Sequence, residues 1–89
     1  AYKLQPKSAA IQDTLGWILL VQGQTARAVS LLKDAVASAP KAEVVRYHYA
    51  VALAKSGDKV KAKQELDSLL KDTKDFPGKS AAEALRKQL

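Results

Sequence analysis

Residues of matching type recur in this chain at a spacing of 34 positions. Gly16, Leu19, Gly23, Ala28, Leu32, Ala35 and Pro40 overlay on Ala50, Leu53, Gly57, Ala62, Leu66, Leu69 and Lys74, and Pro6 lies the same distance before Pro40. A fixed period of this length is the mark of stacked repeats, in which each unit buries its apolar face only against its neighbours. Such stacks make surfaces more readily than enclosed active sites. The period therefore constrains function as well as fold.

The punctuation within each period is helical. Pro6 closes a short lead-in and Ser8 is placed to cap a helix running to about Gln22, where Gly23 stops it. A second helix is expected over about Thr25 to Ser38, ended by Pro40, which cannot continue an α-helix. The third covers about Ala42 to Lys55 and breaks at Ser56-Gly57-Asp58. Asp58 then caps a fourth that runs to about Lys71, before Phe76-Pro77-Gly78. Ser80 and Glu83 form an S-x-x-E capping box for a last helix to the C-terminus. No segment alternates with period two for long, so no strands are expected. Connections of a few residues force antiparallel neighbours. The predicted class is all-α.

Composition narrows the function. With 89 residues, 47% of them hydrophobic and 27% charged, the chain is one ordinary globular domain with a modest core. It has no cysteine, which removes disulfides, thiolate nucleophiles and thiolate metal sites. No methionine occurs even at position 1, which points to a chain cut from a longer or processed protein. The longest apolar run, Trp17 to Val21, is far below the ~20 residues that span a bilayer, so membrane insertion is not expected. The net charge is +6, but Lys55, Lys59, Lys61, Lys63, Lys71 and Lys74 are interleaved with Asp58, Glu65, Asp67, Asp72 and Asp75. That mixture reads as a solvated helix face and not as a strip that neutralises phosphates.

The aligned residues resemble the tetratricopeptide repeat family, a 34-residue helix–turn–helix unit. Leu15-Gly16 stands at its Leu-Gly pair, Leu19 at its aromatic site, Ala28 at its second-helix alanine, Leu32 at its phenylalanine site and Pro40 at its closing proline. Tyr49-Ala50, Leu53, Ala62 and Leu66 follow the same track in the second copy. The early tryptophan of the pattern is replaced by Gln12 and Arg46, and the second closing proline by Lys74, with Pro77 three residues late. The resemblance implies helix pairs in a right-handed superhelical stack. It divides the chain into the tail of a truncated repeat (1–6), two repeats (7–40 and 41–74) and a capping helix (75–89). The strings Asp13-Thr14-Leu15-Gly16-Trp17 and Tyr47-His48-Tyr49-Ala50 are also similar to the C-terminal repeats of bacterial envelope lipoproteins linked to exosortase and exopolysaccharide systems. That likeness implies a place in the cell envelope or periplasm.

The first helix carries two apolar rows. Ile11, Leu15, Ile18 and Leu19 are expected to pack inside the repeat. A second row, Ala10, Asp13, Trp17 and Leu20, needs another partner, and Val44, Tyr47, Val51 and Ala54 take the equivalent place in the third helix, with His48 beside them. The resemblance implies that this row lines a concave groove for partner peptides. The candidate binding residues are thus Asp13, Trp17, Leu20, Tyr47, His48 and Val51, with Trp17 and Tyr47 as anchors. With no asparagine in the chain, a clamp for a C-terminal carboxylate is not expected.

His48 is the only histidine and has no second ligand at metal spacing, Asp13 has no paired carboxylate, and the glycines are isolated at turns. No enzyme activity, metal or cofactor is expected. The function anticipated is a scaffold that binds a protein or peptide. Two alternatives stand beside it. One is a homodimer through an exposed repeat edge including Ile11, Leu15 and Ile18, which a missing preceding helix would otherwise cover; the other is a basic nucleic-acid-binding repeat.

Overall fold

A computed structural model of the protein describes residues 9–72, 76 and 78–89. Five helices follow one another: α1 (Ala9–Val21), α2 (Thr25–Ser38), α3 (Glu43–Lys55), α4 (Lys59–Asp72) and α5 (Lys79–Gln88). No strand occurs among the described residues. Each helix packs on the next in sequence, and α1 also touches α3. Ser8, Lys74, Pro77 and the lead-in before them lie outside the described residues.

The two tight turns are copies of one another. After α1, the Gly23 N–H donates to Leu20 O (3.1 Å) and the Gln24 N–H to Leu19 O (2.9 Å). After α3, the Gly57 N–H donates to Ala54 O (3.1 Å) and the Asp58 N–H to Leu53 O (3.0 Å). This paired bonding satisfies the last carbonyls of each helix and needs a left-handed residue at its centre. Gly23 (φ 87°) and Gly57 (φ 96°) supply it.

The helix starts differ. The Lys61 N–H donates to Asp58 Oδ1 at 3.2 Å, so Asp58 caps α4 as expected. Its counterpart Gln24 makes no capping bond. Its amide oxygen instead accepts from Arg27 Nη1 at 3.2 Å. Asp58→Ala should therefore cost about 1 kcal/mol in urea unfolding, while Gln24→Ala should stay within about 0.5 kcal/mol. Equal costs would remove the cap from the account.

At α5 the predicted capping box is corrected. The helix starts at Lys79, and Gly78 stands before it with φ 93° and no side-chain cap. Ser80 is already inside the helix. The cause lies upstream: buried Phe76 draws the chain into the core, and Gly78 reverses it at once, with the Lys79 N–H donating to Phe76 O (3.1 Å). The face of α5 that packs inward carries buried Ala82 with half-buried Leu85 and Leu89, and Ala81 is exposed.

The core has two parts. Leu20, Ala28, Leu32, Tyr49, Ala52, Leu53 and Ala62 join α1 through α4. Ala50, Leu66, Leu69, Phe76 and Ala82 join α3 through α5. Tyr49 reaches α4, where its side chain, by hydrogen bonding first and charge second, holds the Lys61 ammonium above its ordinary pKa. Gln12 and Arg46, which stand where the family pattern has tryptophan, take different roles. Gln12 is buried on α1. Arg46 Nη2 reaches from α3 to α4 and donates to Ser68 Oγ (2.9 Å) and Asp72 Oδ2 (3.4 Å). Arg86 pairs with Asp67 to tie α5 to α4.

The packing expected of α1 also fails. Ile11, Leu15 and Ile18 do not pack inside; they are 39%, 41% and 46% exposed. The inward row of α1 is Gln12, Gly16 and Leu20, with Leu19 half-buried. Close approach of backbones decides this. A Cβ on Gly16 would lie 2.6 Å from Leu32 Cγ, so α2 sits against the one α1 position that has no side chain. Hydrophobic size alone points to the neighbouring row, and the glycine overrules it.

Candidate functional site

α1 and α3 lie side by side, and their shared surface gathers four of the six candidate residues. His48 Nδ1 and Asp13 Oδ1 are 2.7 Å apart across the two helices. An ionised carboxylate only accepts, so His48 Nδ1 donates to it. The Trp17 indole stacks on the His48 imidazole, with ring centroids 4.3 Å apart and planes at 29°. The Tyr47 ring lies 6.0 Å from the His48 ring, tilted at 45°. Both members of the Asp13–His48 pair are largely shielded, with side chains 14% and 20% exposed. Trp17 remains 36% exposed. The pair holds the imidazole still, and the imidazole backs the indole.

The other two candidates are placed elsewhere. Leu20 is buried in the core and presents no surface, because it lies on the inward row with Gly16. Val51 is half-buried and lines a hollow of about 330 Å³ between α3, the start of α4 and the end of α5. That hollow has Val51, Ala54, Leu85 and Leu89 as its apolar walls and Lys55 and Lys59 among its lining residues. Sequence reasoning set Asp13 and His48 in neighbouring rows but missed their bond. The signal was present: His48 stands one residue past the 34-residue image of Asp13, within reach of a helix in the adjacent row.

Chemically, this arrangement offers a fixed aromatic surface, one oriented imidazole and a nearby apolar recess. Among the described residues, no group of three or more His, Asp or Glu side chains comes together as metal ligands would. No helix among them is long and apolar enough to cross a membrane.

A family model described as tetratricopeptide repeat matches residues 19–89. No curated protein and no solved structure matches the chain.

Proposed function

The chain belongs to the tetratricopeptide repeat family, whose repeats generally mediate protein–protein contact, and from that premise we propose a peptide-binding site on its α1–α3 face. The observation that carries this reading is the braced tryptophan. An indole more than a third exposed, yet stacked on an imidazole that is itself tethered, loses little freedom when a partner covers it. Tryptophan and tyrosine in such settings are the usual energetic anchors of interfaces.

The groove runs from Trp17 over His48 and Tyr47 to the hollow beside Val51. The matching peptide places an apolar side chain in that hollow and a carboxylate toward Lys55 and Lys59, which line it. Leu20 supports the floor from beneath. The site works by holding and not by chemistry, so the protein is read as a non-enzymatic scaffold. Its placement in a bacterial envelope assembly rests on the Asp13–Trp17 and Tyr47–Ala50 strings alone.

Selection from a displayed peptide library against the 89-residue chain tests the site. Enriched peptides should be apolar or aromatic with an acidic residue, and Trp17→Ala should weaken them about 30-fold, near 2 kcal/mol, without loss of helicity. Undiminished binding by Trp17→Ala would remove the tryptophan from the site. The same titration against an unspecific oligonucleotide should show no salt-sensitive binding.

A further inference from the structure

One stripe of α3 changes its chemistry from end to end. His48, Val51 and Lys55 follow the same face of the helix, and His48 and Lys55 stand two turns, about 10 Å, apart along it. Val51 and Lys55 line the hollow beside α4 and α5, where Lys59 joins them. At the other end Asp13 takes the proton of His48 Nδ1 as a hydrogen bond, which leaves Nε2 of the neutral ring as an acceptor. Among the described residues Nε2 has no hydrogen-bond partner, and it is not sealed from solvent.

Charge sharpens the contrast. The chain carries +6, yet none of its 15 lysines and arginines lies on α1, whose only charge is Asp13. On α3, Arg46 is turned away to Ser68 and Asp72 of α4. The Asp13–His48 end therefore offers a carboxylate and an open acceptor, while Lys55 and Lys59 make the other end positive. We propose that the α1–α3 site takes a dipolar segment: an arginine of the partner peptide at Asp13 and His48, a carboxylate at Lys55 and Lys59, and an apolar residue between them.

This rests on the peptide-binding reading above and adds the order of charges that the peptide must carry. Arginine suits the first position better than lysine. Its planar guanidinium spreads several donors over more than one acceptor and lies well against aromatic rings, and Trp17 and Tyr47 both adjoin His48. An extended peptide advances about 3.3 Å per residue, so the arginine and the acid should stand about three to four residues apart. The reversed order would set a carboxylate beside Asp13 and a cation beside two lysines, so the site also fixes which way the peptide runs.

Random displayed peptides selected on the 89-residue chain at about pH 8, above the ordinary range of histidine, should carry arginine at that spacing from an aspartate or glutamate. In the strongest binder, citrulline in place of the arginine keeps the shape, removes the charge, and should weaken binding about 10-fold. Asp13→Asn should weaken the arginine peptide by a similar factor and leave the citrulline peptide within about 2-fold, as a direct pair requires. The citrulline comparison uses the unaltered protein and so does not depend on the variant folding. Trp17 is the only tryptophan, so its emission reports whether a peptide lies on this face. Peptides that shift that emission but carry no arginine, that bind as well with citrulline, or that lose equally to Asp13→Asn in both forms would overturn the dipolar inference and leave the site standing. Binders that leave the emission unmoved and hold Trp17→Ala undiminished would remove the site, and this inference with it.

Discussion

Replacing Leu32 with alanine should lower the unfolding free energy by about 3 kcal/mol, the middle of the range for a leucine cut from a rigid core. Leu32 is fully buried on α2 and belongs to the cluster that joins α1, α2, α3 and α4. Its surroundings cannot close the void cheaply. Gly16, which faces its branch carbon, has no side chain to move in, and Ala28 and Ala52 in the same cluster are small and already at full burial. A domain of this size holds roughly 5–10 kcal/mol in all, so the loss is a large share of it. Urea unfolding followed by circular dichroism should show the midpoint falling with its slope unchanged. A cost under about 1 kcal/mol would mean that the surrounding helices collapse into the gap, and that Leu32 is not the link between them.

Gly16→Val should cost a similar amount, about 3 kcal/mol, by the opposite route of overpacking. Even a bare Cβ there would come within 2.6 Å of Leu32 Cγ and 2.9 Å of its Cδ2. Leu32 is enclosed and cannot swing away, so α1 and α2 must part. Gly16→Ala should be milder, because leaving glycine in mid-helix itself gains up to ~1 kcal/mol against the clash. The coupling gives a sharper result. In a Leu32→Ala background the obstruction is gone, and Gly16→Ala should then raise stability. If alanine at 16 has the same effect with and without Leu32, the close contact does not set the α1–α2 distance. Ala50, the image of Gly16 in α3, already carries a Cβ and is fully buried, so the second helix pair has room where the first has none.

The extent to which the sequence could be read follows from which forces are local. Gly23, Gly57 and Asp58 act through their own backbone and the next few residues, so their positions set the two turns directly. Helices α2, α3 and α4 accordingly lie within a residue of expectation. The start of α5 departs from expectation because buried Phe76, a tertiary contact, fixes the chain upstream and puts Ser80 inside the helix. The rows of α1 depart from expectation for a related reason. Ile11, Leu15, Ile18, Leu19, Leu20 and Val21 make that helix apolar nearly all round, and periodicity cannot choose a face when every face qualifies. Leu20, expected in the groove, is buried in the core, and Leu15, expected in the core, is on the surface. At the candidate site, the joining of Asp13 and His48 was not legible in the sequence. The Asp13–His48 bond depends on how far α1 and α3 stand apart, a distance no spacing along the chain encodes.

By itself the sequence determined that this protein is a helical repeat of the tetratricopeptide kind, with turns at Gly23 and Gly57 and no strand among the described residues. Those features follow from a 34-residue period and from residues whose preferences act on their immediate neighbours. Only the tertiary structure decided which row of α1 faces inward, that Leu15 and Ile18 are left on the surface, and that Asp13 braces the imidazole beneath Trp17. Each of those depends on two helices meeting. Where backbones meet, it is the smallest side chain, Gly16 here, that chooses the contact, and hydrophobicity only fills what remains.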